Sequence, residues 1–116
     1  MEEVKIIGLT DGNLQISLSG DIDLGNAEAF YQAVVEAYKA KPANVVFDCA
    51  ALTFIDSTTL GTFVKILKTV KTDGYTMKLT NLQPKIKKLF LICFLDAILL
   101  KVDLQFLQDS KLYLTL

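Results

Sequence analysis

Histidine does not occur among the 116 residues. Its absence removes Ser-His-Asp and Cys-His nucleophile chemistry, together with every metal site built on imidazole. Cysteine is scarce: Cys49 and Cys93 lie far apart, each in apolar sequence. That is the habit of reduced, buried thiols, with a single structural disulfide as the other reading. Neither GxGxxG nor a P-loop pattern is present, so dinucleotide-binding and nucleotide-hydrolysing folds have no anchor. Charge of one sign is not in excess. Twelve basic and 13 acidic residues leave a net −1, mixed along the chain, which offers no electrostatic platform for nucleic acid. Long apolar runs are missing too. The greasiest window, Leu89 to Val102, falls short of the roughly 20 residues a spanning helix needs and contains Asp96 and Lys101. It reads as core or interface, so no membrane insertion is expected. The acidic start, Met1-Glu2-Glu3, leads into no long apolar stretch. No signal peptide is expected, and the location is read as cytoplasmic.

What is present is a chain 52% apolar, long enough for one domain spanning 1–116 and its core. Val4 to Leu9 reads as a strand, and Asp11-Gly12 as a hairpin turn because both residues tolerate positive φ. Leu14, Ile16 and Leu18 alternate with Gln15, Ser17 and Ser19, a strand with one face on a core, which Gly20 is expected to break. After an acidic loop, Asp23 is expected to cap a helix carrying Ala27, Phe30, Tyr31, Val34, Val35 and Tyr38 on one stripe. Val45 to Phe47 suits a strand buried on both faces, ended by Asp48. Leu60, Phe63, Val64, Leu67 and Val70 mark a second helix that Asp73-Gly74 stops. Thr76 to Thr80 is a further strand. Pro84 opens a third helix with Ile86, Leu89, Phe90 and Cys93 on its inner face. Lys85, Lys87 and Lys88 form its wet side, or an anionic partner's surface. Ile98 to Val102 reads as a last strand. Leu104, Phe106, Leu112, Leu114 and Leu116 fall at even positions, favouring a hairpin over a helical turn. That segment either docks on its own sheet or pairs with a second copy. The order β-β-α-β-α-β-α-β predicts an α/β fold: an N-terminal antiparallel hairpin, then mainly parallel strands with right-handed crossovers.

The chemically most suggestive stretch is Asp56-Ser57-Thr58-Thr59-Leu60-Gly61, where a strand hands over to a helix. Asp56 or Ser57 can cap that helix. A hydroxyl there could also carry a phosphate, which the free N–H groups and positive end of the helix dipole would tolerate. A partner docked flat on the turn would not tolerate it, because about two added negative charges would lose their water at the contact. A third possibility is a small enzyme or metal site made from Asp21, Asp23, Asp48 and Asp56 near strand ends.

With these residues placed, the sequence resembles the STAS family, and within it the bacterial anti-sigma factor antagonists. Gly20-Asp21-Ile22-Asp23 is similar to that family's Gly-acidic-apolar-Asp loop. Val45 to Leu52, then Thr53-Phe54-Ile55-Asp56-Ser57-Thr58, is similar to its apolar strand and Asp-Ser-Ser/Thr-Gly-Leu-Gly signature. Ile86, Leu89 and Phe90 match the third helix. The resemblance covers about residues 4 to 102, leaving 104–116 as a Leu-rich extension. It implies a STAS-like mixed sheet with about three to four helices and a non-enzymatic binding module without cofactor or metal. On this reading the chain sequesters an anti-sigma factor that is also a serine-threonine kinase. Phosphorylation at Thr58, with Ser57 and Thr59 as alternatives, ejects the chain, and a Ser/Thr phosphatase restores it. The implied partner surface comprises Asp21, Asp23, Asn26, Asp56, Ser57, Thr58, Thr59, Gly61 and Asn81. Thr59 stands where the family usually has glycine, so phosphotransfer is expected to weaken or move to Thr59. Phe94-Leu95 replaces a common Gly-Leu, which together with the tail favours an altered partner or a homodimer. A constitutive subunit of an ABC-type lipid transporter is the alternative within the same fold.

Overall fold

The computed structural model describes residues 1–96 and 114–115. Along the chain run β1 (Val4–Thr10), β2 (Asn13–Ile22), α1 (Ala27–Ala40), β3 (Asn44–Ile55), α2 (Ser57–Thr72), β4 (Met77–Thr80), α3 (Pro84–Asp96) and β5 (Leu114–Thr115). The strands lie side by side in that same order. β1 and β2 are antiparallel, joined by Asp11 and Gly12 with φ of 53° and 80°. β2–β3 and β3–β4 are parallel pairs. β5 closes the far edge antiparallel to β4, through Lys78↔Thr115 and Leu79↔Leu114. The mixed sheet with an N-terminal hairpin is the architecture the sequence predicts.

Two strands outrun their expected stops. Gly20 does not break β2. It takes a φ of 67° inside the strand and still pairs with Leu52, while the ladder slips between Ser17 and Ser19 and again between Gly20 and Asp21. Asp48 does not end β3, which continues to Ile55 alongside the lengthened β2. The Asp48 carboxylate is accommodated by the Ala50 N–H at 3.0 Å and the Asn81 amide at 3.1 Å. Nor is β3 buried on both faces. Val45, Phe47 and Cys49 are buried while Val46 and Asp48 are half-exposed, so the helices cover one face.

That covered face is organised by four phenylalanines, each fully buried. Phe63 of α2 packs its ring 5.0 Å from Phe30 of α1, 5.3 Å from Phe47 of β3 and 5.0 Å from Phe90 of α3, at tilted to edge-on angles. Tilted and T-shaped pairs of this spacing are the favourable aromatic arrangements. One ring therefore ties three helices to the central strand. On α3, Ile86 and Phe90 are buried, but Leu89 is 39% exposed, so the inner face is narrower than expected. The far end of α2 closes as predicted. Gly74, at φ 87°, donates to Lys71 O, and Tyr75 N donates to Val70 O. The Tyr38 hydroxyl donates to Asp73 Oδ2 at 2.7 Å. Burial and the adjacent carboxylate push the Tyr38 pKa above its ordinary value. Burial likewise pushes the free Cys49 thiol up to about 12, so it is inert at neutral pH.

Among the described residues no helix is long and apolar enough to cross a membrane. The Cys93, Phe94 and Leu95 side chains, the strand expected at 98–102, the hairpin expected over 104–116 apart from β5, and a homodimer built on that segment lie outside the described residues.

Candidate functional site

β2 and β3 run parallel and finish together, Ile22 paired with Ile55. Each strand then hands over to a helix, so the starts of α1 and α2 are brought side by side. Of the two caps the sequence offers, Asp56 rather than Ser57 is the N-cap of α2. Its backbone is extended, and Oδ1 accepts the Thr59 N–H at 2.9 Å. The other oxygen does something the sequence does not reveal: Oδ2 accepts the N–H of Leu24 at 2.9 Å, 32 residues away. The Thr59 N–H first, with the Thr59 hydroxyl and Leu24 N–H behind it, holds the Asp56 carboxyl below its ordinary pKa. One carboxylate thus caps α2 and fixes the loop that leads into α1.

That loop is built differently from the expectation. Asp23 does not cap α1. Its carboxylate accepts from Gly25 N at 2.9 Å, and its carbonyl accepts from Asn26 N and Ala27 N. Asp23 therefore sits a full turn too early, inside a tight turn of its own. Asn26 occupies the cap position without a capping bond. Its Oδ1 accepts from Asp23 N at 2.7 Å, and its amide donates to Asp21 O at 2.9 Å and Glu3 Oε1 at 3.3 Å. Asp21 lies at the exposed end of β2 and accepts the Thr53 hydroxyl at 2.9 Å.

The three hydroxyls of the turn have three different surroundings. Ser57 and Thr58 are exposed, in the first turn of α2, where backbone N–H groups lack intrahelical partners. Thr59 is fully buried. Its hydroxyl bonds the Ile22 carbonyl at the end of β2 and lies 2.9 Å from Asp56 Oδ1. The residue in the glycine's place is thus a buried cross-tie between α2 and β2, and its bulk points inward rather than toward an approaching protein. Thr62 returns its hydroxyl to Thr58 O at 3.0 Å.

Between the two helix starts lies a cleft of about 290 Å³, lined by Leu24, Ala27 and Glu28 on one side and Ser57, Thr58, Gly61, Thr62 and Lys65 on the other. Glu28 accepts from the Gln32 amide, and the Lys65 ammonium lies 5.6 Å from the centre of the Tyr31 ring. Two exposed apolar side chains escape the sequence reading: Leu24, 75% exposed on the wall of the cleft, and Phe54, 48% exposed at the end of β3. The available signals were a leucine stranded in an acidic loop and a phenylalanine out of phase with Leu52 and Ile55.

Asn81, at φ 57°, donates its amide to Asp48 in mid-β3, apart from the hydrogen bonds of the 56–61 turn. Asp21, Asp23, Asp48 and Asp56 each serve a separate hydrogen-bonding duty, and no three acidic or cysteine side chains among the described residues form a metal-holding group. The carboxylate centre entertained from the sequence is not assembled.

The family model for the STAS domain matches residues 6–115. The anti-sigma-B factor antagonist of Bacillus subtilis (strain 168) is 30% identical over 89 residues, covering 77% of this chain and 81% of that protein. A Thermotoga maritima protein of solved structure is 25% identical with a TM-score of 0.69, over 82% of this chain and 80% of its own. The Bacillus cell-fate determinant SpoIIAA, solved in its phosphorylated form, shares the fold at 19% identity and a TM-score of 0.65, over 81% of this chain and 86% of its own. On the sheet order, the strand-to-helix turn at Asp56 and these matches together, the chain belongs to the STAS domain family.

Proposed function

We propose that this protein is an anti-sigma factor antagonist that binds an anti-sigma factor with serine-threonine kinase activity and is released when Thr58 is phosphorylated. The similarity to the anti-sigma-B factor antagonist supports the class of partner. One observation separates Thr58 from Thr59, and the resemblance of the 56–61 turn to the family signature favours Thr58 over the equally exposed Ser57. Thr58 presents its side chain on the exposed wall of the cleft, whereas the neighbouring Thr59 hydroxyl is buried and already bonded to Ile22 O. A kinase can reach the first without unfolding anything and cannot reach the second.

The switch follows from charge. The kinase moves the γ-phosphoryl group of ATP onto Thr58 Oγ1, releasing ADP and the hydroxyl proton. Within this domain the new phosphate faces the first-turn N–H groups of α2 and the positive end of its dipole, so the fold retains it. At a contact it brings about two negative charges next to the Asp56 carboxylate and against a desolvated partner surface, and the complex separates. A Ser/Thr phosphatase adds water across the ester, releases inorganic phosphate and restores the hydroxyl. Asp21, Asp23, Asn26, Asp56, Ser57 and Gly61 shape or line the docking surface around Thr58, Thr59 braces it from beneath, and Asn81 belongs to its periphery.

The test is incubation with the cognate kinase and ATP followed by phosphosite mapping by mass spectrometry. Label is expected on Thr58 and none on a Thr58→Ala variant. Label confined to Ser57 or Thr59 would overturn the site assignment. Capture of a transporter ATPase subunit with no label at any hydroxyl would instead support a constitutive transporter subunit.

A further inference from the structure

Gly61 lies inside α2, one turn in from Asp56, on the exposed wall of the cleft beside Thr58. Glycine weakens a helix interior relative to alanine, because its backbone surrenders the most freedom on folding. The other five glycines have reasons for being glycine. Gly8, Gly12, Gly20 and Gly74 hold positive φ, and a Cβ on Gly25 would press on the Asp23 carboxylate at 3.2 Å. Gly61 has no such reason. Its backbone is helical, and a Cβ built there meets nothing within 4 Å. As far as this chain's own packing is concerned, alanine would serve better.

We infer that Gly61 is bare because the partner protein lays a segment of its chain directly on the α2 backbone there, making Gly61 the point of closest approach in the complex. This inference rests on the antagonist reading above and adds to it where and how the partner sits. The neighbouring surface says what that segment is like. Leu24 stands 75% exposed at the same cleft, and its backbone is held by the Asp56 carboxylate. A protruding apolar side chain on a fixed backbone loses little entropy on docking. The partner segment therefore offers an apolar recess for Leu24 and a small side chain or bare backbone opposite Gly61.

Titration calorimetry of the wild type, Gly61→Ala and Gly61→Gln against the purified cognate anti-sigma factor, with the thermal midpoint of each variant alone, tests this. Gly61→Ala is expected to raise the midpoint by about 3–5 °C while weakening binding by about tenfold or more through overpacking. Gly61→Gln, also a good helix former, is expected to weaken binding further at a midpoint no lower than the wild type's. Equal affinity of wild type and Gly61→Ala overturns the inference and leaves the antagonist reading standing. A lowered midpoint for Gly61→Ala also overturns it, because the fold itself would then require the glycine. Failure of the wild type to bind overturns the antagonist reading and this inference with it.

Discussion

At its N-terminal end α2 is tied down by Asp56, which caps the helix and reaches across to the Leu24 N–H. At its C-terminal end it is tied down by Asp73, which accepts the hydroxyl of Tyr38 from α1. Both aspartates join α2 to the α1 side of the molecule, and both bonds are short. The surroundings differ. Around Asp73 the aromatic partners fold inward, Tyr38 buried and Tyr75 half-buried with their rings edge to face at 6.2 Å. Around Asp56 the same kind of bond holds outward an apolar side chain, Leu24, together with the exposed hydroxyls of Ser57 and Thr58 and the bare backbone of Gly61. An aspartate bridge fixes geometry at either end, but only one end uses that geometry to present a surface.

Three experiments would break or sharpen that contrast. The largest effect is expected from Thr58→Asp. It should weaken binding of the anti-sigma factor by well over tenfold, more than about 1.4 kcal/mol, with the thermal midpoint almost unchanged because an acidic residue suits a helix start. A comparable loss from Thr58→Ala would mean that the hydroxyl's own contacts, rather than charge, govern the contact. Next comes Thr59→Val, which keeps the shape but deletes the buried hydroxyl and leaves the Ile22 carbonyl without it. Chemical denaturation should show a loss of about 1–2 kcal/mol, largely regained in Thr59→Ser. A silent Thr59→Val would mean that the Asp56 end of α2 is held without the Thr59 hydroxyl.

The smallest effects are in the pH dependence of stability, where the two ends of α2 separate. Asp56 has a depressed pKa in the folded chain, so its contribution is present above the unfolded value near 4 and is lost as pH falls through the folded one. Asp56→Asn should flatten that acid limb. Tyr38 is shifted upward, so its contribution is complete below about pH 10 and falls as pH rises beyond it. Tyr38→Phe should flatten the alkaline limb and leave anti-sigma factor binding alone. Thermal melts across pH read both.

Local chemistry that acts over a few residues was legible in the sequence. The Asp11-Gly12 turn, the Asp56 cap, the Gly74 stop and Pro84 at the start of α3 each depend on one side chain and its neighbours. The errors share a different cause. Gly20 and Asp48 are poor strand residues, but β2 and β3 pair with each other, and the ladder carries both strands past them with shifts of register. Asp23 carries the right side chain for a cap, yet Asn26 bonds it into a turn with help from Glu3, 23 residues earlier. Three consecutive hydroxyls look equivalent as letters. Only the arrival of β2 beneath α2 separates the buried Thr59 from the exposed Thr58. The strand-to-helix turn was therefore legible in the chain, while the depth of each hydroxyl and the exposure of Leu24 depended on tertiary contact.

The order of the strands carries one more consequence, for engineering. Because β1 to β5 lie in the sheet as they lie in the chain, the first and last strands occupy opposite edges, separated by four strand spacings or about 19 Å. Domains with adjacent ends can be spliced into a host loop, but this one would force such a loop apart by the width of its sheet. It is better suited to serve as a link in a linear fusion, with a reporter at each edge and the Thr58 face left open between them.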